Sequence, residues 1–446
     1  MELKIGSSTK LINPEIGAGL MGQLYNRIST RIKDDLEANF LYLSNNQASL
    51  LLVSCDLALL EREFIQKVTQ EIEVKTGVPS SAVIICCTHT HTGPYTTALL
   101  PDIPRNEAYL SQLKTWLVEG CEQTVKSSLP GFMGWMKGKA HIGFNRRLCW
   151  ADGTHTMYGD SRRPDFTGLE GPDDPEQVIL AAWDEKGKCL AIVHNNSCHA
   201  TAVESADFVS ADFPGAARYY LRQALDEKIP VLYLQGASGD TSPWDMLQPE
   251  KRVAHKQRCA EIGLLLAGET LRVMKEMPRF KEAILATAAE EIKMAIRLPT
   301  SEEKEKARKI VEQGESQAGR RHYVLAWALL ALEEKFQANP EETLPIHAVR
   351  IGNFGLVTNP CELYCQFGLD IKRRSPAEVT AVVQLANGFS GYCPTIPGII
   401  GGGYSGMPIL WTRLEPYAGY HIVETSARIL YQLWEKSGNE NQGKTT

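Results

Sequence analysis

At 446 residues the chain is long enough to bury a large core. Its 43% apolar and 22% charged residues are the proportions of a globular protein, which excludes a disordered chain. The formal net charge of -6 at pH 7 excludes a general polyanion-binding surface, so no nucleic-acid partner is expected.

The first residues, MELKIGSSTKLINPEIG, hold no apolar h-region behind their charges, and no run in the chain approaches the length of a membrane span. Neither a secretory signal nor a transmembrane segment is expected. A strand-like stretch at 3–6 leads towards a Gly-rich loop, Gly17-Ala18-Gly19-Leu20-Met21-Gly22, where missing side chains let backbone pass close to something. Residues 37–43 and 49–55 read as a pair of strands. Helical spacing over 57–75 stops at Gly77 and Pro79, and the β-branched run at 82–87 then reads as a strand buried on both faces. This β-α-β order favours parallel pairing. The strand runs into Thr88-His89-Thr90-His91-Thr92, and Gly93 and Pro94 force a turn. Two histidines at i and i+2 on an extended segment point the same way.

Further along, 109–127 is an amphipathic helix, and 132–144 is extended and ends in Asn145-Arg146-Arg147. The interval 150–175, rich in Asp, Gly and Pro, reads as a long ordered loop. Strands at 178–183 and 189–194 are joined by a turn, and the second runs into NNSCHATA. Ser210 to Gly215 signals the start of a helix over 216–225. A short strand at 231–234 ends in QGASGDTSP. Residues 251–275 are helical and 282–298 extended, and two helices follow at 302–313 and 321–337. A strand is expected over 346–357, then Asn359-Pro360 before a helix carrying Glu362. A strand at 378–385, a Gly- and Tyr-rich loop at 387–406 and a closing helix at 419–436 complete the chain. The fold class is α/β, with mixed β-sheets flanked by helices and the active site at strand-end loops. A single domain is expected over 1–436, with a frayed tail at 437–446.

The eleven cysteines are odd in number and irregularly spaced, and Cys55, Cys86, Cys87 and Cys189 lie inside apolar runs. They read as reduced core residues, and a cytoplasmic setting is expected. Nothing in the sequence specifies an oligomeric state.

Several strands end in polar tips: THTHTGP, NRR, NNSCHATA, QGASGDTSP, NPCE and NGFSGY. Loops at strand ends are where α/β folds put their chemistry. A zinc ion takes His nitrogens and a carboxylate, with a position left for water when it is catalytic. His89 or His91, His199 and Glu362 supply such a set from three strand ends.

The order of these tips resembles the catalytic domain of the neutral (non-lysosomal) ceramidases, from near the N-terminus to about the closing helix. The segment 17–43 is similar to that family's Gly-Met-Met-Gly segment and the Thr-Arg strand after it. THTHTGP at 88–94 resembles Thr-His-Thr-His-Ser-Gly-Pro, Asn145-Arg146 the family's Asn-Arg pair, and His199-Ala200-Thr201 its second histidine motif. Gly239-Asp240-Thr241-Ser242-Pro243 is similar to Gly-Asp-x-Ser-Pro-Asn, Pro360-Cys361-Glu362 to Pro-Gly-Glu, and Gly391-Tyr392-Cys393-Pro394-Thr395 to Gly-Tyr-Val-Thr-Thr. Tyr404 follows Tyr392 at the separation of two functional tyrosines in the family. The resemblance implies one catalytic zinc ion held by His89, His199, Glu362 and Tyr392, with His91 as general acid/base. Arg146 and Tyr404 would hold or polarise the scissile carbonyl, and Ser242 stands where the family has a serine important for activity. Zinc brings the pKa of a bound water to about 7, and an anionic tetrahedral intermediate needs a cation and donors.

The chain departs from the pattern at specific places. The family's Gly-Ile-His-Thr-Arg is Arg27-Ile28-Ser29-Thr30-Arg31, the Asn after Ser-Pro is Trp244, and the Gly before the glutamate is Cys361. No C-terminal immunoglobulin-like domain is expected. These departures bear on the substrate more than on the zinc chemistry.

His194, inside a strand pattern, reads as a core histidine. His141, His155, His255, His322, His347 and His421 read as structural or exposed. Asp212 and Asp240 read as helix caps, and Ser242, lacking a G-x-S-x-G elbow, as a substrate-positioning group rather than a nucleophile. The leading expectation is a zinc-dependent hydrolase cleaving an amide (N-acyl) bond, with a small-molecule or lipid-like, ceramide-like substrate. The alternatives are a zinc hydrolase or lyase of the same scaffold acting on a sugar conjugate or ester, and a non-catalytic binding protein.

Overall fold

In strand after strand, alternate residues go to different apolar layers, and this partition builds the fold. The computed structural model describes residues 2–442, with side chains to residue 435. β1 (Lys4–Leu11), β2 (Glu37–Ser44), β3 (Ser49–Cys55), β4 (Val83–Cys87), β5 (Leu129–Lys139), β6 (Glu176–Asp184), β7 (Cys189–Asn196) and β8 (Val231–Gln235) form one sheet. Its order is β8-β7-β6-β5-β1-β2-β3-β4. Only β3/β4 and β7/β8 pair in parallel. β9 (Leu285–Ala295), β10 (Glu341–Ile351), β11 (Phe354–Thr358) and β12 (Val379–Val383) form a second sheet in chain order, with β11/β12 its parallel pair. Each parallel pair is joined through a helix: Arg62–Thr76, Asp212–Ala224 and Cys365–Arg374. Parallel neighbours need such a crossover.

The two sheets share an apolar layer. Leu41, Leu43, Leu50, Leu52, Ile84 and Cys86 of the first meet Leu356, Ala381 and Val383 of the second. The alternate residues Phe40, Leu51, Val53, Ile85 and Cys87 pack instead with Ile65 and Val68 of one helix and Leu113 and Leu117 of another, Glu107–Lys126. On the far side, Val357 and Val382 pack with Ile422 and Leu430 of the closing helix. The layers run helix, sheet, sheet, helix. β4 is therefore apolar at every position because both its faces are buried, each large side chain contributing about 1.5–3 kcal/mol.

The eleven cysteines include no disulfide. Among the described residues no helix is long and apolar enough to cross a membrane.

Several expectations are corrected. The first crossover helix begins at Arg62 rather than near residue 57. Leu57, Ala58, Leu59 and Leu60 are buried because they run beside the site as irregular backbone, giving carbonyls to His89 and Thr96. The interval 150–175 is not one long loop: Arg147–Trp150, His155–Met157 and Phe166–Leu169 make a small antiparallel sheet. The single strand expected at 346–357 is two, β10 and β11, turning at Gly352 with φ 57°. Glu362 lies on a short strand, Cys361–Leu363, and its helix starts only at Cys365. The Gly- and Tyr-rich segment contains a partner strand, Gly391–Cys393, and a helical turn, Ile396–Ile400. The closing helix, Ala418–Gln442, runs past the expected stop. Of the expected tail, residues 443–446 fall outside the described residues.

Candidate metal centre

The chemistry-bearing side chains gather beyond the carboxyl ends of β4, β7, β8 and β11. At the end of β4 the chain turns sharply, and His89 takes a left-handed φ of 66°, so the two histidines do not share an extended segment. Its backbone N–H is held by Leu57 O at 2.9 Å and its ring Nδ1 by Ala58 O at 2.7 Å. His91 is fixed from the other side by the Gly-rich loop, whose Gly22 backbone lies directly on the imidazole. A Cβ built at Gly22 would stand 2.4 Å from His91 Cγ. Arg27 ties the two loops together, donating to Met21 O at 2.8 Å and His91 O at 2.6 Å. That is a structural use for the residue standing where the resembled family has glycine.

His89, His91 and His199 are buried and place their ring nitrogens in one small volume. His89 Nε2 lies 2.9 Å from His199 Nε2 and 3.3 Å from His91 Nε2. Glu362 Oε2 reaches 3.3 Å from His89 Nε2 and 3.2 Å from His199 Nε2. Parallel pairing of Cys361–Leu363 with Gly391–Cys393 sets Glu362 directly beside Tyr392. Tyr404 closes the group, its ring 5.8 Å from that of Tyr392.

Protonation follows from the partners. His89 Nδ1 faces Ala58 O, and His199 Nδ1 faces Ser238 O at 2.8 Å, so each neutral ring carries its proton on Nδ1. Their Nε2 lone pairs then face each other. Burial pushes the His91 and His199 imidazoles below their ordinary range, with Arg146 and His89 adding to the effect on His199. Burial opposes ionisation of Glu362, and positive charge on the His89 and His199 rings, when they are protonated, pulls its carboxyl well below the usual carboxylate range. Burial and then Glu362 raise the Tyr392 hydroxyl. An anionic oxygen with no hydrogen-bond donor and converging lone pairs is a donor set that a cation satisfies.

Arg146 is the neighbouring cation. Its Nη2 donates to Gly239 O at 3.0 Å and lies 3.0 Å from His199 Nε2 and 3.4 Å from the Tyr392 hydroxyl, while Nη1 donates to the Tyr158 hydroxyl at 3.0 Å. A metal ion in the cluster would replace the contact between Arg146 and His199 Nε2 and leave the other anchors in place.

Ser242 is not brought into this group. Its hydroxyl bonds within its own turn, to the backbone of Trp244 at 3.3 Å, and it does not line the cleft. Asp240 accepts from the N–H of Cys365 at 2.7 Å, at the start of that helix, and burial lifts its carboxyl to about 7. His194 is a core residue bonded to Thr270 Oγ1 at 3.2 Å. Two groups that were not singled out in the sequence also arrive here: Tyr158, and Glu204, whose Oε2 lies 3.6 Å from His91 Nδ1. Glu204 lies two residues beyond the polar tip NNSCHATA and five after His199, and that nearness is the one signal that pointed to it.

The cluster floors a cleft whose walls include Leu24, Leu59, Leu99, Leu100, Phe389 and Trp411. A second network holds the wall that carries Tyr404. Buried Arg147 bonds Gly398 O at 3.0 Å and Gly402 O at 2.9 Å and pairs with Glu170 at 2.8 Å, and Glu170 also meets His155 Nδ1 at 2.6 Å.

No protein-family model and no curated protein matches the chain. Solved structures do. Neutral ceramidase from Pseudomonas aeruginosa superposes with a TM-score of 0.77 at 18% identity, over 98% of this chain and 75% of that one. A ceramidase complexed with C2 gives 0.75 at 17%, over 98% and 76%. The chain has the fold of these ceramidases, as its strand-end motifs imply.

Proposed function

We propose that the chain is a zinc-dependent hydrolase cleaving an amide, the N-acyl bond of a ceramide-like or other N-acyl compound. The observation that carries this reading is the convergence of imidazole lone pairs and the Glu362 carboxylate at the floor of an apolar-walled cleft. The ceramidase fold supports the same class of chemistry. His89, His199, Glu362 and Tyr392 would hold the ion. When bound, zinc supplies a water acidic enough to act as a nucleophile at neutral pH.

The remaining roles belong to the chain itself. His91 is the imidazole left to take a proton and deliver it to the departing nitrogen. Arg146, anchored by Gly239 O and Tyr158, is aimed beforehand at negative charge developing on the carbonyl oxygen, and the Tyr404 hydroxyl adds a donor from the wall. Ser242 takes none of these roles. The apolar walls suit an acyl chain and exclude water from the reacting bond.

Metal analysis of the purified protein beside His199→Ala tests the centre. Stoichiometric zinc is expected in the wild type and a large loss in the variant; a metal-replete wild type without zinc overturns the reading. A panel of N-acyl compounds, esters and glycosides tests the bond. Zinc-dependent turnover of esters or glycosides with none of amides would refute the amide assignment.

A further inference from the structure

The three imidazoles of the centre are not held alike. His89 and His199 each give Nδ1–H to a backbone carbonyl, Ala58 O and Ser238 O, and so present Nε2 to the centre. His91 has no carbonyl. Its Nδ1 is buried without a hydrogen-bond partner, and a carboxylate oxygen, Glu204 Oε2, stands 3.6 Å away, a gap that a sub-ångström shift closes. Its Nε2 points the other way, 3.3 Å from His89 Nε2. Glu204 has His91 as its only ion-pair partner among the described residues, and its side chain is 23% exposed. The Gly22 backbone packed on the ring and the bond from Arg27 to His91 O keep the imidazole from turning away.

An ionised carboxylate only accepts hydrogen bonds, and a neutral imidazole carries one N–H. Opposite Glu204, that N–H belongs on Nδ1. We propose that Glu204 is a positioning residue: it holds His91 in the Nδ1–H tautomer, so that the Nε2 lone pair faces the centre as the site's base. The tautomer follows from the geometry of the chain alone. Its use as a base rests on the hydrolase reading above. Without Glu204 the ring is free to carry its proton on Nε2, and the base is then blocked by its own hydrogen.

The test is histidine tautomer assignment by long-range proton–nitrogen NMR on the full chain, labelled with nitrogen-15 histidine and treated with chelator. His91 is identified by the signals that vanish in His91→Gln. The wild type is expected to show His91 as Nδ1–H. In Glu204→Leu, which offers Nδ1 no acceptor while His89 Nε2 stays 3.3 Å from Nε2, the signals are expected to move to the Nε2–H pattern, and in Glu204→Asp to stay with Nδ1–H. Amide hydrolysis should fall about 10–100-fold in kcat with little change in KM in Glu204→Leu, and recover in part in Glu204→Asp. His91 protonated on Nε2 in the wild type, or an unchanged pattern in Glu204→Leu, overturns the proposal. A wild type that shows the expected tautomer but holds no zinc and cleaves no amide refutes the hydrolase reading and leaves the positioning role of Glu204 upheld. Because Glu204 is part-exposed, urea unfolding of the variants at the wild-type midpoint separates these effects from loss of fold.

Discussion

Replacing Gly22 with alanine isolates the packing of the Gly-rich loop on His91. Gly22 has φ +112°, and a Cβ there would lie 2.4, 2.5 and 2.7 Å from His91 Cγ, Cβ and Nδ1. Two of these atoms are at the root of the side chain, so rotating the ring does not relieve the clash and the backbone of one loop must move. Gly17, at the other end of the same loop, supplies the control: its φ is +95°, and a Cβ meets nothing within 4 Å. Gly17→Ala should therefore cost only the left-handed conformation, about 1–2 kcal/mol. Gly22→Ala should cost that amount and about 1–3 kcal/mol more for overpacking. Urea unfolding of both variants in chelator measures the difference free of any metal. The double variant Gly22→Ala/His91→Gly removes all three clashing atoms and should recover most of the extra cost as a coupling energy. Gly22→Ala no more destabilising than Gly17→Ala, or no recovery in the double variant, would refute the packing argument.

Three further outcomes are expected. Arg146→Ala should lower kcat for amide hydrolysis about 10²–10³-fold at saturating zinc, the loss of one aimed donor at the developing charge. Glu170→Ala should destabilise the chain by about 3–5 kcal/mol, because it strands buried Arg147 without its carboxylate; hydrogen exchange should quicken in the segment that carries Tyr404. His194 is buried, and burial lowers its imidazole from 6.5 to about 4. The unfolded chain therefore binds more protons in that window, and stability falls as pH drops from 6.5 towards 4, by about 3 kcal/mol from this residue. His194→Gln should flatten the acid side of the urea midpoint against pH, and an unchanged profile would show that His194 does not titrate as argued.

The sequence exposed what is periodic and what is polar at the end of something periodic. β4 was legible because five apolar residues with two β-branched isoleucines need burial on both sides, which a doubly covered sheet provides. The polar tips that follow β4, β7 and β11 led to His89, His91, His199 and Glu362. What stayed hidden depended on contacts distant in the chain. Leu57 to Leu60 look like the first turn of a helix because they are apolar, yet they are buried by the site rather than by helical packing. Ser242 sits in a motif that reads as functional, and only the fold shows its hydroxyl turned to the backbone of Trp244. Glu204 shows no period at all. Only the fold brings its carboxylate round to a histidine more than a hundred residues earlier.

The nitrogens of His89 and His199 that nearly touch belong to residues 110 positions apart, and Glu362 comes from the other sheet's side of the chain. A helix carrying two histidines one turn apart offers a metal half a site while the rest of the protein is still unformed. The ligands proposed for this chain are scattered singly along it, so a zinc ion would gain its grip only once both sheets have closed on each other. Such an ion would act as a latch set after assembly. Added zinc should slow unfolding while leaving the refolding rate unchanged, and a chain stripped of metal should reach its native layers at full speed.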